Sequence, residues 1–174
     1  MRILKLVIIF IYLNSLKQLY AADVEISGTQ ATREDLQASS TLTISGTLDG
    51  DLNNIVRGYI AAGNEIDSAT VVVESGGTIQ GKSNAIMGRE TDSLTVINSG
   101  TIEATSSKAI QLLDAQNAKI TNKSGGTIFA NTNAIVQQSA GTEDAENTTI
   151  TNAGTIYSVN DRAIYFYDGA TYVK

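Results

Sequence analysis

The feature that most constrains this sequence is a Gly-Thr-Ile motif that recurs at nearly constant spacing. The motif begins at Gly77, Gly100, Gly126 and Gly154, at intervals of 23, 26 and 28 residues, and a related Gly-Thr-Leu begins at Gly46. A unit of this length cannot bury its own apolar side chains, but stacked units can bury them against one another. The repeat therefore predicts an architecture of stacked coils.

Each repeat contains three short apolar segments that are separated by Asn, Ser and Gly. One segment precedes the motif, the motif itself is the second, and the third follows and centres in most repeats on an Ala-Ile pair. Apolar and polar residues alternate with a period of two, which predicts strands and not helices. We therefore expect an all-β fold, a right-handed single-stranded parallel β-helix of about five coils, preceded by an N-terminal signal helix.

The alternation also predicts which side chains face the interior. Successive side chains of a strand point to opposite faces, so equivalent residues of stacked coils should form inward columns. The first predicted column is Leu48, Ile79, Ile102, Ile128 and Ile156; the second is Ile55, Ile86, Ile110, Ile135 and Ile164; the third is Ile44, one of Val71 to Val73, Val96, Ile120 and Ile150. A tight corner should follow the first column at Gly81, Ala104, Ala130 and Ser158.

Three asparagines end the segment that precedes the motif in successive repeats, at Asn98, Asn122 and Asn152. Stacked amides can donate hydrogen bonds along the coil axis at the strand spacing of roughly 4.8 Å. Asn also tolerates the left-handed conformations that turns require. Both an asparagine ladder and ordinary turn chemistry are consistent with the pattern.

The first 22 residues have the composition of an export signal. Three basic residues and no acid accompany an uncharged apolar run from Leu6 to Leu16, and small residues follow at Ala21 and Ala22. The run is shorter than the roughly 20 residues of a membrane-spanning helix, so we expect cleavage after Ala21 or Ala22. An uncleaved helical anchor or a buried amphipathic helix is the alternative. The expected division is a signal peptide at 1–22, a cap or degenerate first coil at 23–40, and β-helix repeats at 41–174.

Composition excludes several classes of function. Without its three basic leader residues, the chain retains 9 of its 12 Lys and Arg residues against 18 Asp and Glu, a formal charge of −9 that would repel nucleic acid. The absence of Cys and His excludes disulfides, thiolate metal sites and histidine-dependent catalysis. No second long apolar run follows the leader, so we expect no membrane span in the mature chain.

Acidic residues gather after the third segment of each repeat, at Glu90, Asp92, Asp114, Glu143, Asp144, Glu146 and Asp168. Stacked carboxylates can bind Ca²⁺, but a solvated acidic edge is the favoured interpretation. Arg89 with Glu90 and Asp92, and Asp161 with Arg162, form the tight acid–base groups, and both resemble ordinary exposed pairs. We expect no catalytic, cofactor-binding or metal-binding residues.

Aromatic residues mark the candidate ligand-binding surface. Most aromatic residues after the leader lie from Tyr157 onward, and alternation predicts that Phe166 faces inward while Tyr165 and Tyr167 face outward. Outward tyrosines can stack on sugars or anchor a protein partner, or they can pack beneath a flanking segment. The candidate surface residues are Tyr157, Tyr165, Tyr167 and Tyr172. A column of threonines, one per motif, raises ice binding as a weaker alternative.

The stretches "INSGTIEATSSKAI" and "ITNAGTIYSVNDRAI" resemble the coils of autotransporter passenger domains of Gram-negative bacteria. The resemblance covers roughly Thr41 to Lys174 and implies an exported, non-catalytic β-helix, a passenger fragment with a structural or adhesive role in the periplasm or at the cell surface. A host-surface protein or glycan would be the partner. The alternative is a small β-helix that binds or cleaves carbohydrate. "GATYVK" resembles the start of another coil, so we also expect end-to-end self-association through an open C-terminal coil.

Overall fold

A computed structural model describes residues 23–32, 34–50, 54–58, 66–139 and 147–167. The predicted signal helix at 1–22 lies outside these residues. Six rungs of three short strands follow one another along the chain. The strands are β1 (Val24–Ile26), β2 (Thr29–Gln30), β3 (Glu34–Asp35), β4 (Thr41–Ile44), β5 (Thr47–Gly50), β6 (Asn54–Gly58), β7 (Ile66–Asp67), β8 (Thr70–Val73), β9 (Thr78–Gly81), β10 (Asn84–Arg89), β11 (Thr91–Asp92), β12 (Thr95–Asn98), β13 (Thr101–Ala104), β14 (Lys108–Leu113), β15 (Lys119–Asn122), β16 (Thr127–Ala130), β17 (Ile135–Gln138), β18 (Thr149–Asn152), β19 (Thr155–Ser158) and β20 (Ile164–Phe166).

The strands assemble into three parallel sheets of six strands each, and every rung contributes one strand to every sheet. Sheet 1 contains β1, β4, β8, β12, β15 and β18; sheet 2 contains β2, β5, β9, β13, β16 and β19; sheet 3 contains β3, β6, β10, β14, β17 and β20. The short strands β7 and β11 pair with each other at a corner. The all-β parallel β-helix predicted from the repeat is confirmed. From Thr41 onward each sheet has five strands, and residues 24–35 supply the sixth.

Sheet 2 contains the Gly-Thr-Ile motif, and its register is the predicted one. Leu48 pairs with Ile79, Ile79 with Ile102, and the column continues through Ile128 to Ile156. The first four of these side chains are fully buried. Burial of an Ile or Leu side chain contributes about 1.5–3 kcal/mol, so the column is a large part of the core. The small-residue corner is also in register from Gly81 to Ser158, with Gly50 above it.

The second and third predicted columns each contain one wrong residue. In sheet 3, Val56 and not Ile55 pairs with Ile86, because Ile55 and Val56 together occupy the place of the later Ala-Ile pairs. In sheet 1, Leu42 and Val71 precede Val96 in its column. Ile44 instead pairs with Val73 at the second inward position of the strand. That position is apolar at Ile44 and Val73 and is Asn from Asn98 onward. Because the residue type changes, the sequence pattern did not show these residues as one column.

The asparagines form a hydrogen-bonded ladder at this second inward position of sheet 1. The Nδ2 of Asn98 donates to the Oδ1 of Asn122, and the Nδ2 of Asn122 donates to the Oδ1 of Asn152, each at 2.8 Å. Asn98 and Asn122 are fully buried. Neither they nor Asn152 adopts a positive φ angle, so the ladder and not a left-handed turn explains these three residues.

Left-handed residues lie instead at the corner before sheet 1. Each of these residues precedes the first residue of a sheet 1 strand by two positions. They are Ser39 (φ 57°), Ser68 (60°), Ser93 (61°), Asn117 (52°) and Asn147 (57°). A positive φ angle is costly for residues other than Gly, and Asn and Ser compensate in part through local hydrogen bonds of the side chain. The Ser and Asn residues between the apolar segments therefore turn the chain.

The glycine of the motif is required by the close approach of consecutive rungs. A Cβ on Gly100 would lie 2.2 Å from the carbonyl oxygen of Gly77 on the preceding rung, and a Cβ on Gly154 would lie 2.2 Å from that of Gly126. Such distances are well inside van der Waals contact with rigid backbone. Every motif glycine from Gly46 to Gly154 has a backbone carbonyl oxygen of the preceding rung within 2.7 Å of its Cβ position, which explains why the glycine recurs.

The first rung has polar residues where later rungs have apolar ones. Gln30 pairs with Leu48 at the inward column of sheet 2, and Glu34 pairs with Val56 at the inward column of sheet 3. The Nε2 of Gln30 donates to the Oε1 of Glu34. Residues 24–35 therefore stack as a rung, and this hydrogen-bonded pair covers the N-terminal end of two inward columns.

We predict that Gly100→Ala destabilises the protein by at least about 2 kcal/mol, because the backbone has to shift to accommodate the methyl group. Gly28→Ala is the matched control, since nothing lies within 4 Å of its Cβ position and its φ angle is not positive. The control should leave stability unchanged or raise it by up to about 1 kcal/mol through a less flexible unfolded chain. Urea denaturation followed by circular dichroism measures both, and equal midpoints would contradict the close-approach explanation.

We also predict that Asn122→Ala costs about 2–3 kcal/mol, because it leaves a buried amide of the ladder without its acceptor. Asn152→Ala removes one ladder bond too, but Asn152 is exposed, and water replaces the lost partner. Its cost should stay below about 1 kcal/mol. The same denaturation measurement compares the two, and an effect at Asn122 no larger than at Asn152 would contradict the role of burial in the ladder.

Candidate functional site

The outward face of sheet 2 has two columns of side chains. One is the threonine column, in register from Thr29 through Thr47, Thr78, Thr101 and Thr127 to Thr155. The other contains Asp49, Gln80, Glu103, Phe129 and Tyr157. Because the second column changes from polar to aromatic along the chain, the face is chemically uniform only along the threonines. Its aromatic end is the part suited to a specific ligand.

Phe129 and Tyr157 form a stacked aromatic pair on the last two rungs of sheet 2. Their ring centroids are 4.5 Å apart and the ring planes differ by 24°. Tyr157 is 44% exposed and is one of the few large hydrophobic side chains of the described residues with substantial exposure. The stack holds the Tyr157 ring in place while leaving part of it open to solvent. Tyr157 was predicted from the sequence as a residue of the candidate binding surface, whereas Phe129 was not, although the motif spacing places both residues in one outward column.

The rings of Tyr165, in β20, and Tyr167, directly after it, lie on the same side of the chain. Their rings meet edge to face, with centroids 5.7 Å apart and an interplanar angle of 87°. The guanidinium carbon of Arg162 lies 4.2 Å from the centroid of the Tyr165 ring, within cation–π distance. Tyr167 is 53% exposed. Tyr172, the fourth predicted residue, lies outside the described residues.

The two aromatic pairs lie on different sheets, and polar groups lie between them along the last rung. After Tyr157 the chain turns through Asn160 and Asp161 before it reaches Arg162 and β20. The Nδ2 of Asn160 donates to the Oδ1 of Asn131 on the preceding rung at 2.8 Å. An exposed amide pair, a carboxylate and a guanidinium group thus accompany the aromatic rings. We call the outward side chains of 157–167, together with Phe129 and Asn131, the aromatic corner.

The acid–base groups have structural partners. Arg89 contacts Glu90 at 3.2 Å, with both side chains partly exposed, and such a pair contributes little to stability. The Oδ1 of Asp92 accepts hydrogen bonds from Asn117 at 2.9 Å and from Ser93 at 3.1 Å. Asp92 therefore has a local role in holding a corner.

The predicted solvated acidic edge is wrong for Asp114. Its side chain is buried, and its Oδ1 accepts a hydrogen bond from the Ser139 hydroxyl at 3.3 Å. Asp114 lies at a corner that the next rung covers, and its backbone N–H donates to the carbonyl oxygen of Gln138 at 3.0 Å. Glu143, Asp144, Glu146 and Asp168 lie outside the described residues. Among the residues that the structure describes, no group of three or more acids is close enough to hold a metal ion.

A small pocket lies at the first rung, between β1, β3 and β4. It encloses about 20 Å³ and is lined by residues that include Glu34, Leu36 and Gln37. This volume suits about one water molecule and is too small for an organic ligand. The pocket therefore does not compete with the aromatic corner as a binding site.

Comparison with other proteins gave no match: no family model, no curated protein and no solved structure is significantly similar to this chain. Within the described ranges, no helix has the length and apolar character needed to cross a membrane.

Proposed function

We propose that this protein is an exported, non-catalytic β-helix of the autotransporter passenger type, and that it binds a host-surface glycan or protein through the aromatic corner. The observation that carries the proposal is the contrast between the repeated interior and the last rungs of the outer surface. Inward positions repeat the same apolar or Asn side chains from rung to rung. Phe129, Tyr157, Tyr165 and Tyr167 break the outward pattern at one end.

The chemistry of the aromatic corner supports binding of a sugar or of a protein side chain. Tyr157 and Tyr167 combine a large apolar surface with a hydroxyl group, and aromatic side chains of this kind dominate the energy of many interfaces. The stack on Phe129 fixes the Tyr157 ring before a ligand arrives, so little conformational entropy is lost on binding. The neighbouring amides of Asn131 and Asn160 can bind hydroxyl or peptide groups.

A non-catalytic role agrees with the positions of the acids. General acid–base cleavage of a glycosidic bond uses two carboxyl groups that face each other across the scissile bond. Asp92 accepts hydrogen bonds from Asn117 and Ser93, and Glu90 contacts Arg89, so both carboxylates have structural partners. Asp161 lies in the turn that precedes Arg162.

We predict that the purified protein retains a glycan or an extracellular-matrix protein from a panel, and that Tyr157→Ala weakens this binding about tenfold or more, since removal of an aromatic anchor costs more than about 1.4 kcal/mol. Gln80→Ala is the matched control, because Gln80 lies in the same outward column three rungs earlier. Surface plasmon resonance measures both affinities. Release of products from a polysaccharide, abolished by Asp92→Asn or Asp161→Asn, would contradict the non-catalytic proposal and favour a carbohydrate-cleaving β-helix.

We predict that residues 1–22 export a fused alkaline phosphatase to the periplasm, where its disulfides form and the enzyme becomes active. A leader with Ile9→Glu, which places a charge in the apolar run, is the matched control and should leave the reporter inactive in the cytoplasm. Equal reporter activity with the two leaders would contradict export. The reporter fusion tests export alone. Ligand binding is tested separately with the purified protein, so either proposal can fail without the other.

A further inference from the structure

The first and the last rungs that the structure describes differ in how much apolar surface they expose. Among the described residues, the large hydrophobic side chains with substantial exposure all lie on the first or the last rung. The first rung contributes only Val24, at 39%. The last rung, which we define as residues 147–167, contributes Tyr157, Val159 (61%), Ile164 (39%) and Tyr167. The C-terminal rung is therefore the more apolar end.

The first rung is protected from stacking by polar and charged groups. Gln30 and Glu34 occupy inward column positions and bind each other. The segment 23–36 contains four acids and one Arg, so two first rungs would repel each other. The last rung contains only Asp161 and Arg162 as charged residues and has no net charge. The last rung therefore adds no net charge of its own to a contact between two copies.

The backbone of the last rung is oriented to continue the ladder. The N–H groups of Thr149 and Ala153 donate to the preceding rung. In a parallel ladder the N–H groups of alternate residues point to opposite sides, so those of Ile150 and Asn152 point away from that rung. Such a strand edge is a template for pairing with another chain.

The asparagine ladder also presents a hydrogen-bond donor at the last rung. Asn98 and Asn122 each donate through Nδ2 to the next asparagine and to a backbone carbonyl of the next rung, that of Thr127 or Thr155. The same geometry at Asn152 directs its Nδ2 beyond the last rung. Asn152 is exposed, whereas the two earlier members of the ladder are buried. The end of the ladder thus presents a donor to any chain that docks there.

We propose that the last rung is an interface for a second copy of this chain, docked last rung to last rung about a two-fold axis. A partner has to present three strand edges in the same triangular arrangement, together with apolar side chains at the inward columns. The last rung of another copy meets these conditions, and the polar first rung does not. A two-fold axis is the symmetry of most soluble dimers, and it lets the facing strand edges pair in the antiparallel sense.

Sedimentation velocity over a range of concentrations tests the proposal on the purified protein, both complete and without residues 1–22. We expect a species of twice the chain mass. Ile164→Lys should convert it to the monomer, and Val24→Lys, at a side chain of equal exposure on the first rung, should leave it unchanged. Val159→Lys, at a more exposed position, serves as a second test if Ile164→Lys impairs folding, which circular dichroism reports. A wild-type monomer at all concentrations, or a dimer that only Val24→Lys disrupts, would overturn the proposal.

Cross-linking identifies which ends meet, because the chain contains no cysteine. A single Val159→Cys should give a covalent dimer with a short bis-maleimide, and a single Val24→Cys should not. When the Val159→Cys and Val24→Cys proteins are mixed, a cross-link between one copy of each forms only if the last rung of one copy meets the first rung of another. Dominance of the mixed product, or cross-linking through Val24 alone, would exclude the two-fold interface.

Discussion

The rest of the structure depends on the backbone hydrogen bonds that join each rung to the next. These bonds hold successive strands roughly 4.8 Å apart, so every side chain has its equivalent from the neighbouring rungs directly above and below it. At this spacing the motif glycine passes a carbonyl oxygen of the preceding rung with no room for a Cβ. The inward columns, the asparagine ladder and the aromatic stack all follow from the same register.

This register gives the interior and the surface different freedom to vary. An inward residue contacts its equivalents on both neighbouring rungs, so a change at one rung affects at least three. An outward residue such as Glu103 contacts solvent and can be replaced by Gln80 or Phe129 on an adjacent rung without changing the backbone. A ligand-binding surface on such a scaffold is therefore built from outward residues, and the aromatic corner is the clearest departure from the polar pattern.

The two ends of a stacked fold raise a problem that closed domains do not have, because the terminal rungs have strand edges and inward side chains with a neighbour on one side only. At the first rung, the hydrogen-bonded pair of Gln30 and Glu34 places polar groups over two of the apolar columns. The last rung instead places Ile150 and Ile156, both only partly buried, at the end of the core. The proposed ligand-binding surface and the proposed interface thus both include the last described rung.

The sequence by itself determined the fold class, the first inward column and the outward direction of Tyr157 and Tyr167, because a period of two within a strand and a recurring motif between rungs are both visible in one dimension. It left the asparagines open between a ladder and a turn, and it misplaced Ile44, Ile55 and Asp114. The tertiary structure decided these, since register between rungs depends on the length of each corner and on φ angles that composition does not reveal. The stack of Phe129 on Tyr157, the contact of Arg162 with Tyr165 and the polar cover of the first rung were likewise decided there, because each joins residues through space and not through the repeat.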